Sequence, residues 1–132
     1  MENKVNKTDM KNLPYIVAVD FDGTLVEDCF PEIGKIKQRV WNDITVARRK
    51  GAKIILWTSR DGANLKAAVK FCADKGLHFD AINENLDEVK VLFNNDTRKV
   101  YADEYWDDKM INTYSTTLSI THACEEEPFP GW

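Results

Sequence analysis

The means for disulfide or zinc chemistry are the first thing this sequence lacks. Cys29, Cys72 and Cys124 are odd in number and widely spaced, so they make no disulfide framework, and no C-x-x-C pair offers a zinc site. Histidine is as scarce: His78 and His122 show no ligand-like spacing. No apolar run approaches the length of a membrane span. Met1 to Pro14 are polar and charged, with no apolar core of a signal peptide. The expectation is a reduced, cytoplasmic protein with no membrane partner. An excess of positive charge is also missing. Lys and Arg number 18 against 22 Asp and Glu, for a net charge of −4 and a pI near 5.2. No field draws in nucleic acid, and no strong nucleic-acid-binding surface is expected. The one dense basic run, Arg48-Arg49-Lys50, ends a predicted helix, where cations suit the helix dipole. No internal repeat is present.

What is there suits one ordinary folded domain. The chain has 132 residues, 43% hydrophobic and 30% charged, enough to bury a real core. Tyr15–Asp20 is a short, β-branched, nearly continuous apolar run, as in a strand buried on both faces. From Ile33 the period becomes helical through Ile36, Val40, Trp41, Ile44 and Ala47, with Gly51 as a stop. Lys53–Thr58 reads as a second buried strand and Asn64–Lys75 as a second helix. Phe79–Ile82 reads as a third strand, Leu86–Phe93 as a short helix and Lys99–Trp106 as a fourth strand. This β-α-β-α-β-α-β order predicts an α/β fold: a central parallel sheet between two helical layers, Rossmann-like. Residues 1–13 read as a flexible polar lead-in, 14–122 as the domain, and 123–132 as an acidic irregular tail. Thr113–Thr121 fits either a strand or a loop.

In such sheets ligands bind beyond the carboxyl ends of the strands. There the sequence gathers Asp20, Asp22, Thr58, Ser59, Arg60, Asn83, Asn85, Asp107 and Asp108. The sharpest feature is Asp20-Phe21-Asp22-Gly23-Thr24-Leu25, directly after an apolar strand. Of two neighbouring carboxylates, one can attack while the other handles protons, provided their environments differ. Acids so close also repel, which favours a hard divalent cation such as Mg²⁺.

This run resembles the first motif of the haloacid dehalogenase-like superfamily, and the other motifs follow in order. Ile54-Ile55-Leu56-Trp57-Thr58 is similar to the second, a hydroxyl residue ending the next core strand. Lys99, with Lys90 as the other candidate, matches the third, a lysine. Tyr105-Trp106-Asp107-Asp108 matches the fourth, an acidic pair, with Asp103 and Asp107 as the other reading. The resemblance spans about Tyr15 to Lys109. Thr58-Ser59-Arg60 and Asp107-Asp108-Lys109 look most like small phosphatases of the deoxyribonucleotidase and polynucleotide 3′-phosphatase kind, which often carry Arg where this chain has Lys109. The resemblance implies a Mg²⁺-dependent phosphomonoesterase working through an aspartyl-phosphate. Asp20 would be the nucleophile and Asp22 the proton carrier. Asp20, Asp22 (through its carbonyl), Asp107 and Asp108 would surround the metal. Thr58 and Lys99 would bind the phosphoryl oxygens, Ser59 would help through its backbone, and Arg60 and Asn83 are candidate substrate contacts. A noncatalytic binding domain and a phosphotransferase with the same residues are the alternatives.

Members of this superfamily often insert a cap domain in one of two places. Here Val26–Glu32 leaves room only for a small flap, and the stretch from Thr58 to Lys99 is already taken by predicted elements. A capless site is expected. It would admit a large phosphorylated substrate, or be closed over a small one by a second copy of the chain in a homo-oligomer; both arrangements stay open here.

Overall fold

Each short apolar run that alternates with a helix becomes a strand of one parallel sheet. The structure, a computed structural model, describes residues 7–111, and the side chains of residues 9–111. Thr113–Thr121 and the tail 123–132 lie outside the described residues. The elements are α1 (Lys7–Lys11), β1 (Ile16–Val19), α2 (Gln38–Arg49), β2 (Lys53–Leu56), α3 (Gly62–Asp74), β3 (Ala81–Ile82), α4 (Asp87–Phe93) and β4 (Glu104–Trp106). The sheet order is β3-β2-β1-β4, and all pairs are parallel.

All four residues of β1 are buried, as its unbroken apolar run requires. Val17 and Val19 face one way, with Ile54 and Leu56 of β2, and pack on Ile44 of α2 and on Ala68 and Cys72 of α3. Ile16, Ala18 and Ile55 face the other way, onto Leu86, Val89 and Val100. Helices therefore cover both faces. Each such fully buried Val, Leu or Ile contributes about 1.5–3 kcal/mol relative to an exposed one. Among the described residues no helix is long and apolar enough to cross a membrane.

The topology reverses once. From β1 the chain steps outward to β2 and β3. It then returns past both to place β4 on the other side of β1. Such a reversal opens a crevice at the carboxyl ends of the two strands that flank it, here β1 and β4.

Most predicted bounds shift by two residues or fewer, and three readings differ by more. The helix expected from Ile33 starts at Gln38. Ile33 and Ile36 belong instead to a loop that folds back on the residues after β1. Ile36 bridges Val26, Glu27 N–H donates to Lys35 O at 2.8 Å, and Lys37 N–H donates to Leu25 O at 2.9 Å. The strand expected from Lys99 begins at Glu104. Buried Asn85 accounts for the difference: its Oδ1 accepts the Tyr101 N–H at 2.7 Å and its Nδ2 donates to Asp96 at 2.9 Å, so the chain before β4 is tied to the end of β3. Finally, the lead-in read as flexible contains the short helix α1.

Candidate functional site

Register alone brings the first carboxylates together. Val19 pairs with Leu56 on one side and with Trp106 on the other. Asp20 and Asp107 each stand one residue beyond that row. The Asp20 N–H still donates to Trp106 O at 2.9 Å, and the Trp57 N–H to Val19 O at 2.9 Å, so the pairing extends up to the site. Neighbouring strands lie about 4.8 Å apart. Carboxylate oxygens of Asp20, Asp107 and Asp108 accordingly lie within 4.8 Å of one another.

Gly23 and Thr24 hold Asp108 in this group. Gly23 has φ of +84°, and a Cβ there would collide with the Asp108 carboxylate. The Thr24 hydroxyl, itself buried, accepts the Asp108 N–H at 3.1 Å. Asp107 Oδ1 accepts the Lys109 N–H at 2.9 Å. Burial pushes the Asp20 carboxyl up to about 6; the Phe21 N–H it accepts at 2.8 Å works against this, and the charges of Asp107, Asp108 and Asp22 add to it. The three carboxylates suit a hard, oxygen-seeking cation. Mg²⁺, which takes carboxylate oxygens, is the ion such a set would hold.

Asp22 takes a different place. Its two oxygens accept from Arg60 Nε at 2.7 Å and from a terminal Arg60 nitrogen at 2.8 Å. The Arg60 side chain is 1% exposed and that of Asp22 16%. The remaining Arg60 donors reach the carbonyls of Pro31, Asn64 and Glu32, at 3.3, 3.4 and 2.9 Å. All five guanidinium N–H groups are thereby used. The guanidinium also lies over the Phe21 ring at 4.9 Å and the Phe30 ring at 5.1 Å. Arg60 is therefore no free clamp for a substrate anion, as its position after Thr58 suggested. It anchors Asp22 and the loop before α2.

Asp20, Asp22, Asp28, Phe30, Thr58, Ser59, Arg60 and Lys109 line one hollow of about 260 Å³. The Thr58 Oγ accepts the Arg60 N–H at 3.2 Å, which leaves its own hydrogen to donate elsewhere. A larger hollow of about 760 Å³ lies at the opposite end of the sheet, beside Tyr15, Ala52 and Glu104, and none of the predicted site residues lines it.

Two other sequence assignments change. Lys99 does not line the carboxylate hollow. Its ammonium lies 5.0 Å over the Tyr105 ring, in a separate hollow with Phe93, Thr97 and Tyr101. The lysine that does reach the hollow is Lys109, whose ammonium has no hydrogen-bond or ion-pair partner among the described residues. Its place directly after the acidic pair was the available signal. Asn83, in a left-handed conformation at φ 53°, turns its amide to the backbone: Oδ1 accepts the Thr58 N–H at 2.8 Å and Nδ2 donates to Arg60 O at 3.5 Å. It shapes the loop after β2 rather than facing a ligand. Asp103 accepts the Ile16 N–H at 2.8 Å, at the far end of β1, which leaves Asp108 as the partner of Asp107.

No family model and no curated protein matches the chain. A solved structure does, described as that of a conserved protein coded by a locus from Bacteroides thetaiotaomicron. It is 31% identical, with a TM-score of 0.65, over 84% of this chain and 91% of that one. At that identity and coverage, the chain belongs to the family of this conserved Bacteroides thetaiotaomicron protein.

Proposed function

We propose that this chain is a Mg²⁺-dependent phosphomonoesterase of the haloacid dehalogenase-like kind, working through an aspartyl-phosphate. The observation that carries the reading is the meeting of Asp20, Asp107 and Asp108 at the carboxyl ends of β1 and β4, with Asp20 also lining a hollow together with Asp22 and Thr58. Asp20 attacks phosphorus, and the bond to the leaving oxygen breaks as that oxygen takes a proton from Asp22. Water then attacks phosphorus, gives its proton to Asp22 and releases phosphate from Asp20. Each Asp22 oxygen spends one lone pair on Arg60 and keeps another for this exchange. The Thr58 hydroxyl and the Lys109 ammonium meet the phosphoryl oxygens, the role the resemblance gave to Lys99. Asp20, Asp107 and Asp108 would hold the metal, which supplies the positive charge that lets a carboxylate approach a phosphate.

The test is hydrolysis of an aryl phosphate with Mg²⁺ and then with excess EDTA. Turnover is expected only with the metal, and Asp20→Asn is expected to lower it at least about a thousandfold while the fold survives. Lys109→Ala should slow turnover and Lys99→Ala should leave it unchanged. Turnover that survives either EDTA or Asp20→Asn overturns the reading.

A further inference from the structure

Phe30 stands out among the residues around the hollow. The other residues that line it are polar or charged, and Phe30 is 55% exposed. The other large exposed apolar side chains among the described residues are Tyr15, Val46, Val91, Met110 and Ile111, and none lines this hollow. Nor is the ring loosely placed. Arg60, itself buried, lies 5.1 Å from its centre and fixes the following backbone through the Pro31 and Glu32 carbonyls. The Phe30 N–H donates to Asp28 Oδ1 at 3.3 Å. An aromatic surface held open to water beside a polar cleft is preorganised for a flat partner.

Size says which part of a ligand would meet it. At about 260 Å³ the hollow falls below the usual range for small-molecule sites. It accommodates a phosphoryl head, and the rest of the substrate lies at the rim. From these observations we propose that Phe30 is a stacking platform that selects phosphomonoesters whose leaving oxygen is bonded directly to an aromatic ring. This inference rests on the phosphomonoesterase reading above and adds the substrate class to it.

Non-hydrolysable phosphonates separate the two. With Mg²⁺ present, phenylphosphonate should bind the wild-type chain about threefold to tenfold tighter than methylphosphonate, the span of an aromatic pair. Phe30→Ala should abolish that preference and leave methylphosphonate affinity unchanged. Phe30→Trp should keep it, and Phe30→Leu should lose most of it, because a merely apolar contact would survive in leucine. Equal loss for both phosphonates, a full preference in Phe30→Leu, or no preference in the wild type overturns the proposal. The kinetic arm compares phenyl phosphate with a purine nucleoside 5′-monophosphate, whose ring is set back by the sugar. A Phe30-dependent gain confined to the nucleotide also overturns it. Methyl phosphate turnover without ring selection leaves the phosphatase reading standing alone. Failure of every phosphonate to bind and of every ester to turn over removes both.

Discussion

Asp20 carries the conflict on which the site depends. In the fold it is half-buried and faces two further carboxylates, so it keeps its proton up to about pH 6, against 3.8 for the free side chain. Between those values the native chain binds more protons than the unfolded one, and stability falls as pH rises. The cost is complete above about pH 6 and absent below about pH 4. Asp20→Asn should therefore stabilise the metal-free protein by about 1–2 kcal/mol near pH 7, a figure reduced for the water that still reaches the group. Near pH 3.5 it should change nothing. Thermal melts at the two pH values check this, and an equal gain at both would contradict it. This aspartate was plain in the sequence, because an apolar strand ending in Asp-x-Asp-Gly-Thr fixes where the carboxylate emerges. The destinations of Lys99 and Arg60 were not plain. Long side chains choose partners by what packs beside them, and the Tyr105 ring and the Asp22 carboxylate meet them only after folding.

At the scale of elements, the segment between β1 and α2 matters most. Its apolar spacing at Ile33 and Ile36 imitates a helix, and only its hydrogen bonds to Leu25 and Glu27 show a folded-back loop. Period reveals which residues are buried, and it does not reveal what covers them. β4 was overextended for the same reason: Val100 is buried by packing under α4 rather than by strand pairing. Arg60 pins this loop at the Pro31 and Glu32 carbonyls and Asp22 at both oxygens. Arg60→Ala would leave the Asp22 carboxylate and the carbonyls of Pro31, Glu32 and Asn64 without this donor. The expected loss is about 2–3 kcal/mol, read from urea unfolding. Because the loop also carries Phe30, ring selection should weaken with it. A loss under about 0.5 kcal/mol would show that the pair contributes no more than a surface contact.

At the scale of the whole molecule, the parallel sheet and the edge where polar residues gather were legible, since four apolar runs alternate with helices; the strand order β3-β2-β1-β4, with its reversal at β1, was not. The metal should couple to all of it. Asp20 leaves the interior strand β1, while Asp107 and Asp108 follow β4. The unfolded chain holds them far apart, so an ion bound by the set stabilises only the native state. At a hundredfold excess over Kd, Mg²⁺ should add about 2.7 kcal/mol and raise Tm by several degrees. Asp107→Ala should remove most of that shift. A melt unmoved by Mg²⁺ in the wild type would argue against the cluster as the metal site.

The position of β4 has one more consequence. Asp20, Asp22 and Thr58 are all in place before the chain has delivered its last described strand, yet the acidic cluster is still missing two of its three members. On the proposed reading, a product cut short anywhere ahead of Asp107 keeps Asp20 and lacks the two carboxylates that would join it around a metal. Under that reading, competence would arrive only once Asp107 and Asp108 are made, and shorter chains would carry a silent site.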